Sequence, residues 1–306
     1  MACGSSFAVE YAYQVLAAEE GEVLVCSRSC REQWTGPSSR PAAGAPPPVL
    51  AVLNQKGGTG KTTTAVSVAA GMAAEGRRVL LVDLDAQGNV AVSLGLKPSQ
   101  ALYEVLVDGV DPRSVWSEAR ERLVVLPSNQ TVAAAEIELV NMRDRATQLR
   151  RRLAPVLEDF DVVLLDCGPS LSLLNQNALT FSSHVLIPVS CDYLALVGVR
   201  QVLRTVQHVK EVLLHDIDVV GVLPTLHDGR NRISGQSIDA LRGYFGEKVM
   251  PPIRVNSKLK EAPSHKQTIF EYAPDSHGAL DYGAVVTWLQ DRLPRRIMTP
   301  EIQNAS

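Results

Sequence analysis

"VLAVLNQKGGTGKTTTAVSVAAGMAAEG", residues 49–76, changes character twice. The apolar run at 49–53 is short enough for a strand buried on both faces. A glycine-rich stretch follows, and then an Ala- and Val-rich segment that meets no strong breaker before Gly76, which predicts a helix opening at the loop and stopping there. A strand, a glycine loop and a helix N-terminus in that order form a phosphate site. Gly57, Gly58 and Gly60 allow backbone N–H groups to turn inward without a Cβ in the way, and the helix dipole favours an anion. Thr59 completes the loop. Lys61 is predicted to reach the β- and γ-phosphates of a nucleoside triphosphate, with the Thr62 hydroxyl on Mg²⁺ and Thr63 toward the α-phosphate. A phosphate cradle needs only one lysine, so Lys56 is in excess.

Outward from this stretch, short Val- and Leu-rich runs recur at 78–85, 123–128, 161–167, 184–190 and 218–225, with longer segments between them. Such runs suit strands of a mainly parallel sheet covered by helices on both faces, so the fold class expected is a doubly wound α/β domain. "DVVLLDC" (161–167) ends near an acid, Asp166, where a phosphate loop needs a carboxylate to hold magnesium through water. "LLVDLDAQGN" (80–89) supplies Asp83 and Asp85, which strand alternation places on one face toward the nucleotide. One of the two is suited to orienting the attacking water and the other to organising the metal shell or the loop; alternatively, both only cap the following turn.

The 306 residues carry a formal charge of −3, so any nucleic-acid surface must be a local basic patch. No run approaches the roughly 20 apolar residues that span a bilayer, and the N-terminus lacks a signal-peptide pattern, which predicts a cytoplasmic protein. "WTGPSSRPAAGAPPP" (34–48) offers little to bury and reads as a linker. It divides a cysteine-containing module, 1–33, from an ATPase-like domain at 49–293, with a flexible tail at 294–306. "MRDRATQLRRRL" (142–153) reads as a helix with one solvated basic face.

Taken together, "NQKGGTGKTTTAVSVA", "RVLLVDLDAQGN", "DVVLLDCGPSLSLLNQNAL", "HDGR" and "LKEAPS" resemble the ParA family of partition ATPases, of the deviant Walker A class, over about 49–293. The resemblance implies a role for Lys56: in this class the early lysine reaches across a face-to-face homodimer to the partner's nucleotide, so that ATP joins the interface and hydrolysis releases it. It further implies Lys61 as the phosphate-loop lysine, Thr62 and Asp166 as the magnesium residues and Asp85 as the carboxylate associated with water. Turnover is expected to be slow until a partner stimulates it. Gly168 departs from the family's usual proline, and Cys167 from its small residue; Cys167 reads as a small buried hydrophobe.

The resemblance also implies nonspecific DNA binding through basic side chains. Arg230 matches one family arginine; Lys258, with Arg254 and Lys260 nearby, stands for the other, and phosphate contacts need charge more than geometry. The expected partners are a homodimer copy, nucleoid DNA and a ParB-like stimulator, in chromosome or plasmid partition. Two relatives share the ATP site: cargo-positioning ATPases of the nucleoid and the membrane-cycling MinD-like switch. The tail, broken at Pro294 and Pro300, leaves too short an apolar face for membrane attachment. An iron–sulfur reductase would need paired cysteines at a dimer axis, a poor match to Cys167 and Cys191. Cys3, Cys26 and Cys30 resemble part of a small treble-clef zinc module; a closed zinc site prefers four protein ligands, so the reading divides between a three-cysteine zinc site and a module without metal.

Overall fold

The computed structural model describes residues 15–18, 21–24, 46–170, 172–192, 195–212 and 215–294. Strands β1 (Val15–Ala18) and β2 (Gly21–Leu24) pair antiparallel as a hairpin within the N-terminal module. Cys3, Cys26 and Cys30, and with them the zinc expectation, lie outside the described residues.

The apolar runs become strands β3 (Val49–Val52), β4 (Val79–Asp83), β6 (Leu123–Leu126), β7 (Val162–Asp166), β8 (His184–Ser190) and β9 (Asp218–Thr225). With β5 (Ser117–Arg120) they form one sheet in the order β5-β6-β4-β7-β3-β8-β9. All neighbours are parallel except β5 and β6. Every residue of β3, β4, β6 and β7 is buried, which is why these strands read as continuous apolar runs instead of alternating ones. β5, "SEAR", was not anticipated: a polar edge strand carries no apolar signature, and it gains its place by pairing with β6.

The helices are α1 (Lys61–Ala74), α2 (Asn89–Leu94), α3 (Pro112–Val115), α4 (Val132–Val140), α5 (Gln148–Leu153), α6 (Leu173–Phe181), α7 (Ala195–Val212), α8 (Arg232–Phe245), α9 (Ser257–Glu261), α10 (Ile269–Tyr272) and α11 (His277–Gln290). One apolar cluster joins α1, α10 and α11 to one face of the sheet, and a second joins α4, α5, α6 and α7 to the other. α1 and α11 touch closely: a Cβ on Gly71 would stand 2.6 Å from Val286 Cγ2. Thr64 and the buried Tyr282 share a hydrogen bond of 3.0 Å across the same contact. Among the described residues no helix is long and apolar enough to cross a membrane.

The predicted basic helix at 142–153 is corrected by the structure. Residues 141–147 form turns, and α5 begins only at Gln148. Asp144 adopts a φ of 60°, which stops a right-handed helix, and backbone carbonyls there bond to side chains instead of to the next turn.

Candidate nucleotide site

The sheet's register brings the predicted residues together. Val52 at the end of β3 pairs with Asp166 at the end of β7, and Asp166 pairs with Asp83 at the end of β4. The loops leaving these strands therefore share the carboxyl edge of the sheet, the side on which open α/β sheets place their ligands.

The glycine loop is held from outside itself. Asn54, 1% exposed, donates from Nδ2 to Pro188 O at 2.7 Å and accepts the Lys56 N–H at 3.0 Å. Thr225 Oγ1 at the end of β9 donates to Thr59 O at 2.9 Å. Gly58 and Gly60 have φ of 75° and 82°, the left-handed region that a side chain would strain. Gly57 and Gly58 are exposed, and a Cβ on either would meet nothing within 4 Å. Lys61 is buried and its Nζ donates to Lys56 O at 3.1 Å, which aligns the ammonium along the loop. Burial lowers its pKa, against the pull of Asp166 and Asp85.

The two buried acids at the strand ends differ in their hydrogen bonding. Asp83 is fully buried and satisfied: Oδ1 accepts the Asp85 N–H at 3.0 Å and Oδ2 accepts the Val90 N–H at 3.2 Å. Asp83 thus shapes the turn and ties it to α2. Asp166 is also fully buried, yet among the described residues neither of its oxygens has a hydrogen bond of ordinary geometry. Burial lifts its pKa to about 7; the Thr62 hydroxyl and the Lys61 charge pull the other way. A buried carboxylate beside a threonine hydroxyl offers hard oxygen ligands suited to Mg²⁺, with the Lys61 ammonium close by. Thr62 and Asp166 therefore fit the group the glycine loop implies.

Asp85 lies beyond the strand end and is only partly buried, so Asp83 and Asp85 do not present as a matched pair. Its Oδ1 accepts the Gln87 N–H at 3.0 Å, and a Cβ on Gly168 would come within 3.9 Å of its Oδ2. Asp85 thus stands against the segment that follows β7, the strand that carries Asp166. Asn175, on α6, donates to Gly168 O at 2.8 Å and also to Ser170 O, fixing this segment.

The sequence family described as "AAA domain" matches residues 48–219. The sporulation initiation inhibitor protein Soj of Bacillus subtilis is 44% identical over 239 residues, 76% of this chain and 94% of that protein. The chromosome partitioning protein ParA of Myxococcus xanthus is 39% identical over 249 residues, 80% of this chain and 88% of that one. The chain belongs to the ParA family of partition ATPases. Among solved structures, a Mycobacterium smegmatis protein named cobyrinic acid a,c-diamide synthase, bound to an ATP analog and magnesium, superposes with a TM-score of 0.69. It is 36% identical, and the match covers 83% of this chain and all of that one.

Within this ParA-family chain the second lysine is engaged. Lys56 Nζ forms an ion pair with Asp192 and lies 3.4 Å from Ser190 Oγ, which itself donates to Asp192 at 2.7 Å. Asp192 and Ser190, at the end of β8, were missed in the sequence, as were the braces Asn54, Thr225 and Asn175. The amides and hydroxyls carry no motif of their own, and only the fold shows what they reach.

The predicted DNA residues cluster around the isolated bridge between His227 and Arg254. Arg230 is 90% exposed at its side chain and bonds Asp228 through Nε and Nη2, each at 3.0 Å, holding that carboxyl down at about 2. Lys258 Nζ donates to Glu261 at 2.8 Å. Arg254 gives its guanidinium and its backbone N–H to Asp281, at 2.6–3.1 Å, and so ties this loop to α11. Lys260 is exposed.

Proposed function

We propose that this partition ATPase is an ATP-dependent dimerising switch that binds DNA without sequence preference and is reset by a ParB-like partner. The observation that carries the nucleotide half is Asp166, fully buried and, among the described residues, with neither oxygen in a hydrogen bond of ordinary geometry, beside Lys61 and Thr62 at the glycine loop. Thr62 and Asp166 would hold Mg²⁺, whose chemistry is to neutralise charge on the β- and γ-phosphate oxygens. The loop N–H groups and Lys61 bind and orient the phosphates, while Asp85 orients the water that attacks. Desolvation strengthens each of these contacts.

Lys56 supplies the switch. In the single chain its charge is matched by Asp192; in the dimer it transfers to the nucleotide of the partner, so that dimer affinity depends on an intact γ-phosphate. Arg230, Lys258 and Lys260 contact DNA phosphates, and Arg254 positions their loop. The protein then acts on the nucleoid, with chromosome or plasmid DNA as cargo. Sedimentation with ATP and Mg²⁺ tests the reading: Asp85→Ala accumulates an ATP-bound dimer retained on DNA in a salt-sensitive way, and Lys56→Ala binds ATP as a monomer. A Lys56→Ala variant that still dimerises with ATP would overturn the switch.

A further inference from the structure

Residues 142–153 contain five arginines against one acid, Asp144. The turns at 141–147 are gripped by three buried polar side chains through their carbonyls. Gln148 Nε2 donates to Arg143 O at 2.9 Å, Asn177 Nδ2 donates to Arg145 O at 2.7 Å, and Thr180 Oγ1 donates to Ala146 O. Asn177 Oδ1 also accepts the Leu149 N–H at 3.0 Å. Asn177, Thr180 and Gln148 are all buried, so the loop is fixed by groups that cannot turn to water instead.

The side chains of this fixed loop stand outward. Arg143, Arg145, Arg150 and Arg151 are exposed, and none makes an ion pair among the described residues. The one side-chain hydrogen bond within the group runs from Arg145 Nη1 to Val140 O at 3.4 Å. Asp144 is the one acid within the segment; further along the chain Asp159 pairs with Arg113 at 2.8 Å and Asp161 accepts the Arg78 N–H at 2.7 Å. In a chain of net charge −3 this is a concentrated positive surface, with Asp144 as its single acid. Arg230, Arg254 and Lys258, by contrast, each already hold a carboxylate.

We propose that Arg143, Arg145, Arg150 and Arg151 form a second cationic surface that binds the phosphate backbone of duplex DNA without reading bases. This rests on the DNA-binding reading above and shifts its electrostatic weight from the ion-paired 230–260 region to the loop at 141–151. Duplex DNA presents a charge about every 1.7 Å of its axis, so several fixed arginines find phosphates at once in any sequence. An unpaired arginine exchanges only water and counterions for phosphate, whereas a paired one must first release its carboxylate. The anchoring helix also ties the surface to the nucleotide edge: α6 carries Asn177 and Thr180 under the arginines and Asn175 on Gly168.

The test uses the full chain with ATP and Mg²⁺ on random-sequence duplex across a salt series, comparing wild type with Arg143→Ala/Arg145→Ala/Arg150→Ala/Arg151→Ala. The variant is expected to bind nucleotide normally, to bind DNA at least about tenfold more weakly at low salt, and to lose about 0.9 of log–log salt slope per phosphate contact removed. The corresponding four-lysine variant is expected to keep most of the slope, which separates charge from folding. Wild-type slope and affinity in the alanine variant would overturn the surface while leaving DNA binding intact. No DNA retention by wild type at any salt would overturn the DNA reading itself. Four-arginine dependence seen only on vesicles of phosphatidylcholine and phosphatidylglycerol would assign the surface to lipid and overturn the proposal.

Discussion

The glycine loop at 56–61 and the arginine loop at 141–147 both hang on side chains reached from elsewhere in the fold. Asn54 and Thr225 hold the first; Gln148, Asn177 and Thr180 hold the second. The first presents backbone N–H groups, the second presents guanidinium groups. Backbone recognition demands glycine at positive φ, as at Gly58 and Gly60, and a helix opening at the right place, so only a narrow set of sequences can build it. Side-chain recognition demands only charge in any order on a loop that does not fold back. On the proposed reading, the first loop holds phosphates in one geometry and the second meets a phosphate backbone in many registers.

The largest effect separates the two loops by ligand. Lys61→Ala removes the buried cation that faces Asp166, and nucleotide affinity or turnover is expected to fall by about 10²- to 10³-fold. The four-arginine variant is expected to leave nucleotide titration unchanged. If the arginine variant also lost nucleotide, the loops would not be independent and the comparison would fail.

The next effect concerns how the second loop is held. Asn177→Ala leaves the Leu149 N–H and the Arg145 carbonyl without their partner in a buried setting, a loss of about 1–3 kcal/mol. Thermal unfolding should show a lower Tm, and amide exchange at residues 141–149 should accelerate more than elsewhere. Uniform acceleration across the domain would mean that Asn177 supports the core at large and not this loop.

Much of the glycine loop's setting was legible because burial on both faces leaves an unbroken apolar run in every central strand, and because a phosphate cradle needs glycines after such a strand. The acid at the end of β7 was legible for the same reason: a carboxylate closing "VVLL" stands out. What separated Asp83 from Asp166 was not legible, since both end buried strands and only the positions of the Asp85 and Val90 N–H groups distinguish them. The polar edge strand β5 and the break in the basic segment were missed, because pairing with β6 and the reach of Asn177 across 32 residues are tertiary facts. Charge pairing was equally hidden: Arg145 and Arg254 look alike in sequence, and the fold gives a carboxylate to one alone.

A smaller effect probes the rim of the glycine loop. The Lys56–Asp192 pair is about 40% exposed, with side-chain values of 36% and 44%, and such pairs contribute about 0.2–1 kcal/mol. Asp192→Asn removes the competitor for Lys56 in the monomer. The ATP-driven dimer should tighten by about two- to fivefold in sedimentation equilibrium, with nucleotide affinity of the monomer unchanged. A weaker dimer would show that Asp192 acts within the interface instead of competing with it.

The smallest effect tests the contrast between paired and unpaired arginines directly. Arg230 lowers the Asp228 carboxyl to about 2, first through its side-chain hydrogen bonds and then through its backbone N–H. A depressed folded-state pKa stabilises at pH values above the ordinary carboxylate range and loses that contribution as pH falls toward 2. Arg230 is 90% exposed at its side chain and Asp228 32%, so solvent screens the pair, little stability is at stake at neutral pH, and Tm should not move. Arg230→Gln should instead raise the Asp228 titration, followed by carboxyl NMR, part of the way toward the usual value of about 3.9, the backbone donor accounting for the remainder. If Asp228 did not move, the side-chain pair would not persist in solution. Arg230 would then be as available to phosphate as Arg143, and the reason for ranking the arginine loop above the 230–260 region would be gone.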